Sequence, residues 1–147
     1  MIQSGKSEAL LDWIQNKEAA GFLTPTICGR KMLYDVADRR YHPYELEKKA
    51  ANSISIGKFI IDDRAFVLAD VIVEENFEKE WDWIVIDEIG KLELQGCGHH
   101  LLFEKLLDHA MANILVVVRS ELLREIISKY GLHEAPVISV ADLQDLT

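Results

Sequence analysis

The stretch WIVIDE, residues 83–88, combines a short apolar run with two carboxylates at its end. A continuous apolar run of this length is typical of a strand that is buried on both faces of a parallel sheet. The carboxyl ends of such strands form the edge at which open α/β sheets bind ligands. Because successive side chains of a strand point to opposite faces, Asp87 and Glu88 are predicted to serve different tasks at that edge.

Outward from this stretch, hydrophobic periodicity predicts strands that alternate with helices. Strands are predicted at 22–28, 31–37, 54–61, 83–86, 114–118 and 137–140, and helices at 6–20, 62–80, 99–112 and 120–130, with a helical turn from residue 142. Asp62 and Ser120 are expected to cap helices, and Gly21 and Gly131 to end them. Residues 38–49 are expected to form an exposed loop that could include a short helix.

This alternation predicts a three-layer α/β fold with a mostly parallel central sheet. The length of 147 residues suits a single domain over the whole chain. Residues 22–28 and 31–37, joined by Gly29-Arg30, predict a β-hairpin insertion near the N-terminus. Pro25 indicates an edge strand or a bulge within it.

The composition narrows the range of partners. The net charge of −9, from 25 acidic and 16 basic residues, argues against a nucleic-acid-binding surface but permits a nucleotide pocket. The sequence contains neither an apolar run of about 20 residues, as a membrane span requires, nor a signal-peptide pattern. Two cysteines favour a reducing compartment, so we expect a cytoplasmic protein. The sequence leaves the oligomeric state open.

Gly5-Lys6-Ser7 opens the first predicted helix and matches the second half of the phosphate-loop pattern G-x-x-x-x-G-K-[ST]. In that loop, backbone N–H groups and the lysine hold the phosphates, and the hydroxyl occupies a Mg²⁺ position. Residues 1–4 fill the four variable positions, so one glycine before Met1 would complete the pattern. We therefore expect an upstream strand in the intact protein, and an N-terminally truncated chain here. The residues predicted to contact the nucleotide are Gln3, Ser4, Gly5, Lys6, Ser7 and Glu8.

Each motif alone has a plain structural explanation, as a solvated helix start or an acidic strand end. Together, and in this order along the chain, they favour a nucleoside-triphosphate site with Mg²⁺. Ser7 and Asp87 are then the metal ligands, and Lys6 and Glu88 the catalytic residues. Arg119 follows the strand predicted at 114–118, where it would either neutralise the γ-phosphate or lie on the surface as an ordinary arginine.

The segment IDEIGKLEL, residues 86–94, resembles the Walker B segment of small nucleoside-triphosphatases first described from thermophiles, which have a human cancer-related relative. The likeness extends to GFLTP at 21–25, IGKF at 56–59 and VVVR at 116–119. It implies a P-loop fold and slow, Mg²⁺-dependent hydrolysis of several nucleoside triphosphates to diphosphates. It places Lys6 and Ser7 on the phosphates and metal, Asp87 on the metal and Glu88 as base, whereas Arg119 matches loosely.

The resemblance also implies that the first strand of the fold lies beside the strand that carries Asp87. Two other functions stay open. The missing leading glycine is compatible with a non-catalytic nucleotide-binding or interaction module. A small-molecule kinase is less favoured, because no arginine-rich lid segment is evident to shield the transfer from water.

Overall fold

The computed structural model describes the backbone of residues 4–146 and the side chains of residues 6–146. The strands are β1 (Ala19–Leu23), β2 (Thr26–Ile27), β3 (Arg30–Asp35), β4 (Arg40–Pro43), β5 (Ser53–Ile56), β6 (Phe59–Asp62), β7 (Trp83–Asp87) and β8 (Asn113–Val117). The helices are α1 (Ser4–Trp13), α2 (Asp63–Asn76), α3 (Lys91–Leu94), α4 (His100–His109) and α5 (Leu123–Tyr130). Three 3-10 turns cover Ile14–Asn16, Ser120–Leu122 and Val140–Asp145.

The main sheet has the order β2-β3-β1-β7-β8, and β4 pairs with the remaining edge of β3. Its centre is parallel, because β7 pairs in parallel with both β1 and β8. The pairings of β3 with β1, β2 and β4 are antiparallel. Strands β5 and β6 form a separate two-stranded hairpin. The predicted α/β class with a largely parallel central sheet is confirmed.

Helices cover both faces of the sheet, and the alternation along β7 shows how. Ile84 and Ile86 face a core formed with α2, α4 and α5. Val85 points the other way, into a second core formed with α1 and the terminal 3-10 turn. Since strand side chains alternate between faces, an all-apolar strand such as β7 requires a cover on each side. The result is the three-layer arrangement that the sequence predicted.

The first predicted helix is wrong in its second half. Helix α1 ends at Trp13, one 3-10 turn follows, and β1 begins at Ala19. Gly21 lies inside β1 rather than ending a helix. Its φ is +107°, and an added Cβ would lie 2.0 Å from the carbonyl oxygen of Val85. Close strand packing therefore requires glycine here, and the burial of all of β1 overrides the helical preference of its alanines.

Two hairpins differ in detail from the prediction. The N-terminal hairpin exists, but it pairs β2 with β3 and turns at Cys28-Gly29, both with positive φ. The segment predicted as one strand at 54–61 is the β5–β6 hairpin, because Gly57, at φ +59°, reverses the chain. The expected exposed loop at 38–49 contains β4.

The helix boundaries in the structure agree in part with those predicted from the sequence. Asp62 caps α2 by accepting a hydrogen bond from the backbone N–H of Arg64, and Gly131 ends α5 at φ +65°. Helix α2 stops at Asn76 instead of continuing to residue 80. Ser120 begins a 3-10 turn and makes no side-chain cap. Residues 137–140 form no strand, since 137–139 are irregular and Val140 begins the last 3-10 turn.

The family resemblance implied that the first strand of the fold lies beside the strand that carries Asp87, and the neighbours of that strand contradict this. The strand that carries Asp87 has β1 on one side and β8 on the other, so neither flank is available to a further strand. Strand β8 is the outermost strand on that side of the sheet within residues 4–146.

Candidate functional site

The candidate site lies where the parallel strands end. Strands β1, β7 and β8 run in the same direction, so their carboxyl ends meet at one edge of the sheet. Asp87 is the last residue of β7, and Arg119 lies two residues beyond the end of β8. Lys6 and Ser7 lie in the first turn of α1. The fold thus brings the two motifs from distant parts of the chain to one edge.

Ser7 and Asp87 are in direct contact. The Ser7 hydroxyl donates a hydrogen bond of 2.7 Å to Oδ2 of Asp87, and each residue is only 5% exposed. The same Oδ2 accepts a 3.0 Å hydrogen bond from the backbone N–H of Thr24, just after β1. A buried carboxylate needs such donors to offset its lost hydration. The two donors fix the Asp87 side chain at the sheet edge.

This pair of oxygens fits Mg²⁺. A hydroxyl and a carboxylate are hard oxygen ligands, and Mg²⁺ typically takes one or two protein ligands together with phosphates and water. Oδ1 of Asp87 makes no hydrogen bond to the rest of residues 6–146, so that oxygen has a vacant lone pair. The described side chains include no group of three or more His, Cys, Asp or Glu residues that would hold a metal ion by themselves.

Glu88, the residue after Asp87, pairs with Arg119. Nε of Arg119 donates a 3.0 Å hydrogen bond to Oε1 of Glu88, and both side chains are partly buried. Burial raises the pKa of Glu88 above its ordinary value, and the charge of Asp87 adds to that effect. The charges of Arg119 and Lys31 act in the opposite direction. Glu88 is therefore a better proton acceptor than an ordinary exposed glutamate.

Lys6 lies beside the end of β8. Its ammonium group donates a 3.4 Å hydrogen bond to the carbonyl oxygen of Val118, the residue before Arg119. This is a long contact with a neutral acceptor, and an anionic phosphate oxygen would make a stronger one. Lys6 and Arg119 thus bring two positive charges to the edge that carries Asp87 and Glu88.

The structure describes the other residues predicted to contact the nucleotide only in part. Gln3 lies outside the described residues. Ser4 and Gly5 form the first residues of α1, with only their backbone described. Glu8 is exposed on α1, where its side chain makes no hydrogen bond or ion pair with residues 6–146. The geometry at Lys6 and Ser7 therefore carries the nucleotide hypothesis.

Sequence reasoning gave no role to Glu93, which holds the loop after the two acids. Its buried carboxylate accepts hydrogen bonds from the backbone N–H of Gly90, at 2.7 Å, and of His99, at 2.8 Å. A Cβ on Gly98 would lie 2.0 Å from Oε2 of Glu93, so the loop closes tightly around this carboxylate. The signal in the sequence was a glutamate between two glycines, inside the segment with the strongest family resemblance.

A lysine and a serine at a helix start, facing an Asp-Glu pair at the end of a parallel strand, define a P-loop nucleoside-triphosphate-binding protein. The family model described as NTPase matches residues 1–142, and the chain belongs to this family. The family that the segment 86–94 indicated is thereby confirmed. No curated protein and no solved structure matches the chain. Residues 4–146 contain no helix with the length and apolarity needed to cross a membrane.

Proposed function

We propose that the protein is a Mg²⁺-dependent nucleoside-triphosphatase that hydrolyses nucleoside triphosphates to diphosphates and phosphate. The observation that carries this proposal is the 2.7 Å contact between Ser7 and Asp87, with Glu88 following at the same sheet edge. It joins the phosphate-binding helix start to the metal-binding carboxylate, as phosphoryl transfer requires. Membership of the NTPase family supports the hydrolytic reaction.

Each residue of the site then has a defined task. Residues 3–8 contact the nucleotide, residues 4–8 of them from the start of α1, and the Lys6 ammonium group offsets negative charge on the γ-phosphate. Ser7 and Asp87 would hold Mg²⁺, because the Ser7 oxygen keeps its lone pairs while its hydroxyl donates a hydrogen bond to Asp87. When bound, Mg²⁺ neutralises phosphate charge and orients the triphosphate.

Glu88 is proposed as the general base. Its carboxylate accepts a proton from the attacking water, whose oxygen forms a bond to the γ-phosphorus while the β–γ bridging bond breaks and the diphosphate leaves. The raised pKa of Glu88 makes its carboxylate a stronger proton acceptor than that of an ordinary glutamate. Arg119 holds one oxygen of Glu88. Its positive charge also stabilises the negative charge that develops on the γ-phosphate in the transition state.

The decisive experiment separates nucleotide binding from hydrolysis. Calorimetry with a non-hydrolysable ATP analogue and Mg²⁺ measures binding, and a phosphate-release assay with ATP measures turnover. Glu88→Gln is expected to retain binding and to lower turnover by about 10²–10⁴-fold, the usual contribution of a general base. Glu121→Gln, at an exposed position, is the matched control and is expected to leave both unchanged.

Two outcomes would contradict parts of the proposal. Unchanged turnover in Glu88→Gln would reject Glu88 as the base. Binding without phosphate release by the unaltered chain would favour the non-catalytic module instead.

Broad base specificity and a cytoplasmic location complete the proposal. The family resemblance supports the first, and we expect kcat/KM for ATP, GTP, CTP and UTP to agree within about tenfold, or 1.4 kcal/mol. A larger spread would contradict it. The two free, exposed thiols of Cys28 and Cys97 suit a reducing compartment such as the cytoplasm.

A further inference from the structure

A cavity of about 250 Å³ opens beside the two acids of the candidate site. Asp87, Glu88 and Arg119 line one side of it, and residues of the β5–β6 hairpin, including Phe59, line another. Lys6 and Ser7 do not line the cavity. A nucleotide held by α1 would therefore approach Glu88 from one direction, and the contents of the cavity from another.

Two buried side chains in the cavity wall each have a polar atom without a hydrogen-bond partner among residues 6–146. Tyr44 is 5% exposed, and its hydroxyl makes no hydrogen bond within residues 6–146. His99 is 3% exposed; its Nδ1 contacts Asp70 at 2.5 Å, while its Nε2 makes no hydrogen bond within the same residues. Among these residues, the only fully enclosed side-chain nitrogens or oxygens without a partner are the indole nitrogens of Trp13 and Trp81.

It follows that the Tyr44 hydroxyl and the His99 Nε2 keep access to the cavity. Because neither atom has a hydrogen-bond partner among residues 6–146, both are available to a ligand with polar substituents. Burial and the charges of nearby carboxylates, that of Asp87 first among them, raise the pKa of Tyr44. Its hydroxyl is therefore a hydrogen-bond donor at neutral pH, close to the acids of the candidate site.

Two lysines that line the cavity, Lys31 and Lys91, make no ion pair with the described residues. Asp87, Glu88 and Glu93 also line the cavity, and each accepts a hydrogen bond from a neighbouring protein group. Nζ of Lys31 makes only a 3.5 Å contact with a backbone carbonyl and lies 4.8 Å from the centre of the Phe59 ring. Lys91, exposed at the rim, makes no hydrogen bond or ion pair with the described residues. Lys31 and Lys91 therefore offer two positively charged partners to an acidic group of a ligand.

The rest of the wall is apolar and partly aromatic. Phe59 and Ile61 come from the hairpin, and Phe66 from α2. Phe66 is held in place by stacking on the His99 ring at 3.9 Å. Aromatic and branched aliphatic surfaces of this kind bind flat, apolar molecules, which a few polar groups then orient.

From these features we infer that the cavity binds a second, non-nucleotide substrate, a small flat organic acid whose hydroxyl group accepts the γ-phosphoryl group. The inference rests on the proposed function, because both reactions use Glu88 as the base and the same bound triphosphate. The acceptor oxygen forms the bond to the γ-phosphorus, the β–γ bridging bond breaks, and the nucleoside diphosphate leaves. Glu88 takes the hydroxyl proton and passes it to solvent.

The β5–β6 hairpin also answers the argument that disfavoured a kinase. Phosphoryl transfer to an organic acceptor requires that water be kept from the γ-phosphate. The sequence has no arginine-rich lid, but the hairpin forms a wall of the cavity beside Glu88. With the acceptor bound, that wall and the acceptor itself exclude water from the position of attack.

Binding is tested with 4-methylbenzoate, a flat acid without a hydroxyl group, by ligand-observed NMR on the purified chain. We expect saturable binding that Tyr44→Phe and Lys31→Met each weaken at least fivefold. The matched controls Tyr41→Phe and Lys105→Met, whose residues do not line the cavity, are expected to bind as the unaltered chain does. Absence of binding, or binding that none of these substitutions weakens, would overturn the inference. Circular dichroism establishes that each variant is folded.

Transfer is tested with 4-(hydroxymethyl)benzoate, Mg²⁺ and ATP labelled in the γ-phosphate. Label is expected in an organic phosphate ester, and Glu88→Gln is expected to abolish it. Phosphate release without any ester would overturn the inference and leave the proposed hydrolysis standing. If the ester forms, but the chain releases no phosphate when the acceptor is left out, the inference is supported and the proposed hydrolysis is contradicted. Absence of both the ester and free phosphate would contradict the inference and the proposed hydrolysis alike.

Discussion

The Ser7 hydroxyl donates a 2.7 Å hydrogen bond to Asp87, a residue 80 positions later in the sequence. The contact joins the first turn of α1 to the last residue of β7. Thr24, which follows β1, donates its backbone N–H to the same carboxylate oxygen. Three segments of the chain thus converge on one side chain, and the hydroxyl and carboxylate proposed to hold Mg²⁺ are already adjacent.

Ser7→Ala is expected to weaken the response of nucleotide hydrolysis to Mg²⁺. The substitution removes one proposed ligand and leaves Asp87 held by Thr24 alone. The Mg²⁺ concentration for half-maximal phosphate release should rise at least about tenfold, equivalent to 1.4 kcal/mol. A Mg²⁺ titration measures it. Ser128→Ala, at an exposed position on α5, is the control, and an unchanged requirement in Ser7→Ala would remove Ser7 from the metal site.

Arg119→Gln is expected to move the acid limb of the pH–rate profile to higher pH. Arg119 favours the ionised form of Glu88 through its charge and its hydrogen bond, and both lower a pKa that burial has raised. Without Arg119 the pKa of Glu88 rises further, so the basic form is lost earlier as the pH falls. Measuring kcat/KM from pH 5 to pH 9 tests this.

The control for that profile is Arg124→Gln, which replaces an exposed arginine on α5. It should leave the acid limb in place. A limb that moves to lower pH in Arg119→Gln, or does not move, would show that Arg119 does not govern the ionisation of Glu88.

Gly21→Ala is expected to destabilise the fold severely. A methyl group would overlap the carbonyl oxygen of Val85, in the partner strand at the centre of the sheet, and φ is +107°. Overlap with backbone cannot be relieved by a rotamer change, so the free energy of unfolding should fall by at least about 3 kcal/mol. Urea denaturation measures it.

Gly131→Ala measures the cost of backbone strain without steric overlap, so it serves as the control for Gly21→Ala. Gly131 has a positive φ of +65°, but an added Cβ there would meet no atom within 4 Å. Its loss should be limited to the cost of the left-handed conformation, about 1–2 kcal/mol. Equal losses at the two positions would argue against the predicted overlap with Val85.

Glu93→Gln is expected to lower stability although it keeps the shape of the side chain. The carboxylate accepts from two backbone N–H groups, and an amide offers one oxygen and one NH₂ group. One N–H therefore loses its acceptor, at a cost of about 1–3 kcal/mol. Thermal or urea unfolding tests it. Glu125→Gln, exposed on α5, should change stability by less than about 0.5 kcal/mol, and a similarly small change in Glu93→Gln would contradict the assigned role.

Local sequence predicted most where one strong signal acted alone. The apolar run at 83–86, the cap at Asp62 and the stop at Gly131 each lie where the pattern placed them. The prediction failed where tertiary packing overrode local preference. Ala19 and Ala20 favour a helix, yet they lie in a strand because its two faces and both its edges are covered by the rest of the fold.

The sequence by itself determined the family, the α/β class and the chemical types of the two motifs, because these depend on residue identity and spacing. Only the tertiary structure decided that Ser7 contacts Asp87, that Arg119 pairs with Glu88, and that the β5–β6 hairpin walls a cavity beside them. Those contacts join residues from distant segments, and their distances follow from how sheet and helices pack. No local pattern carries that information.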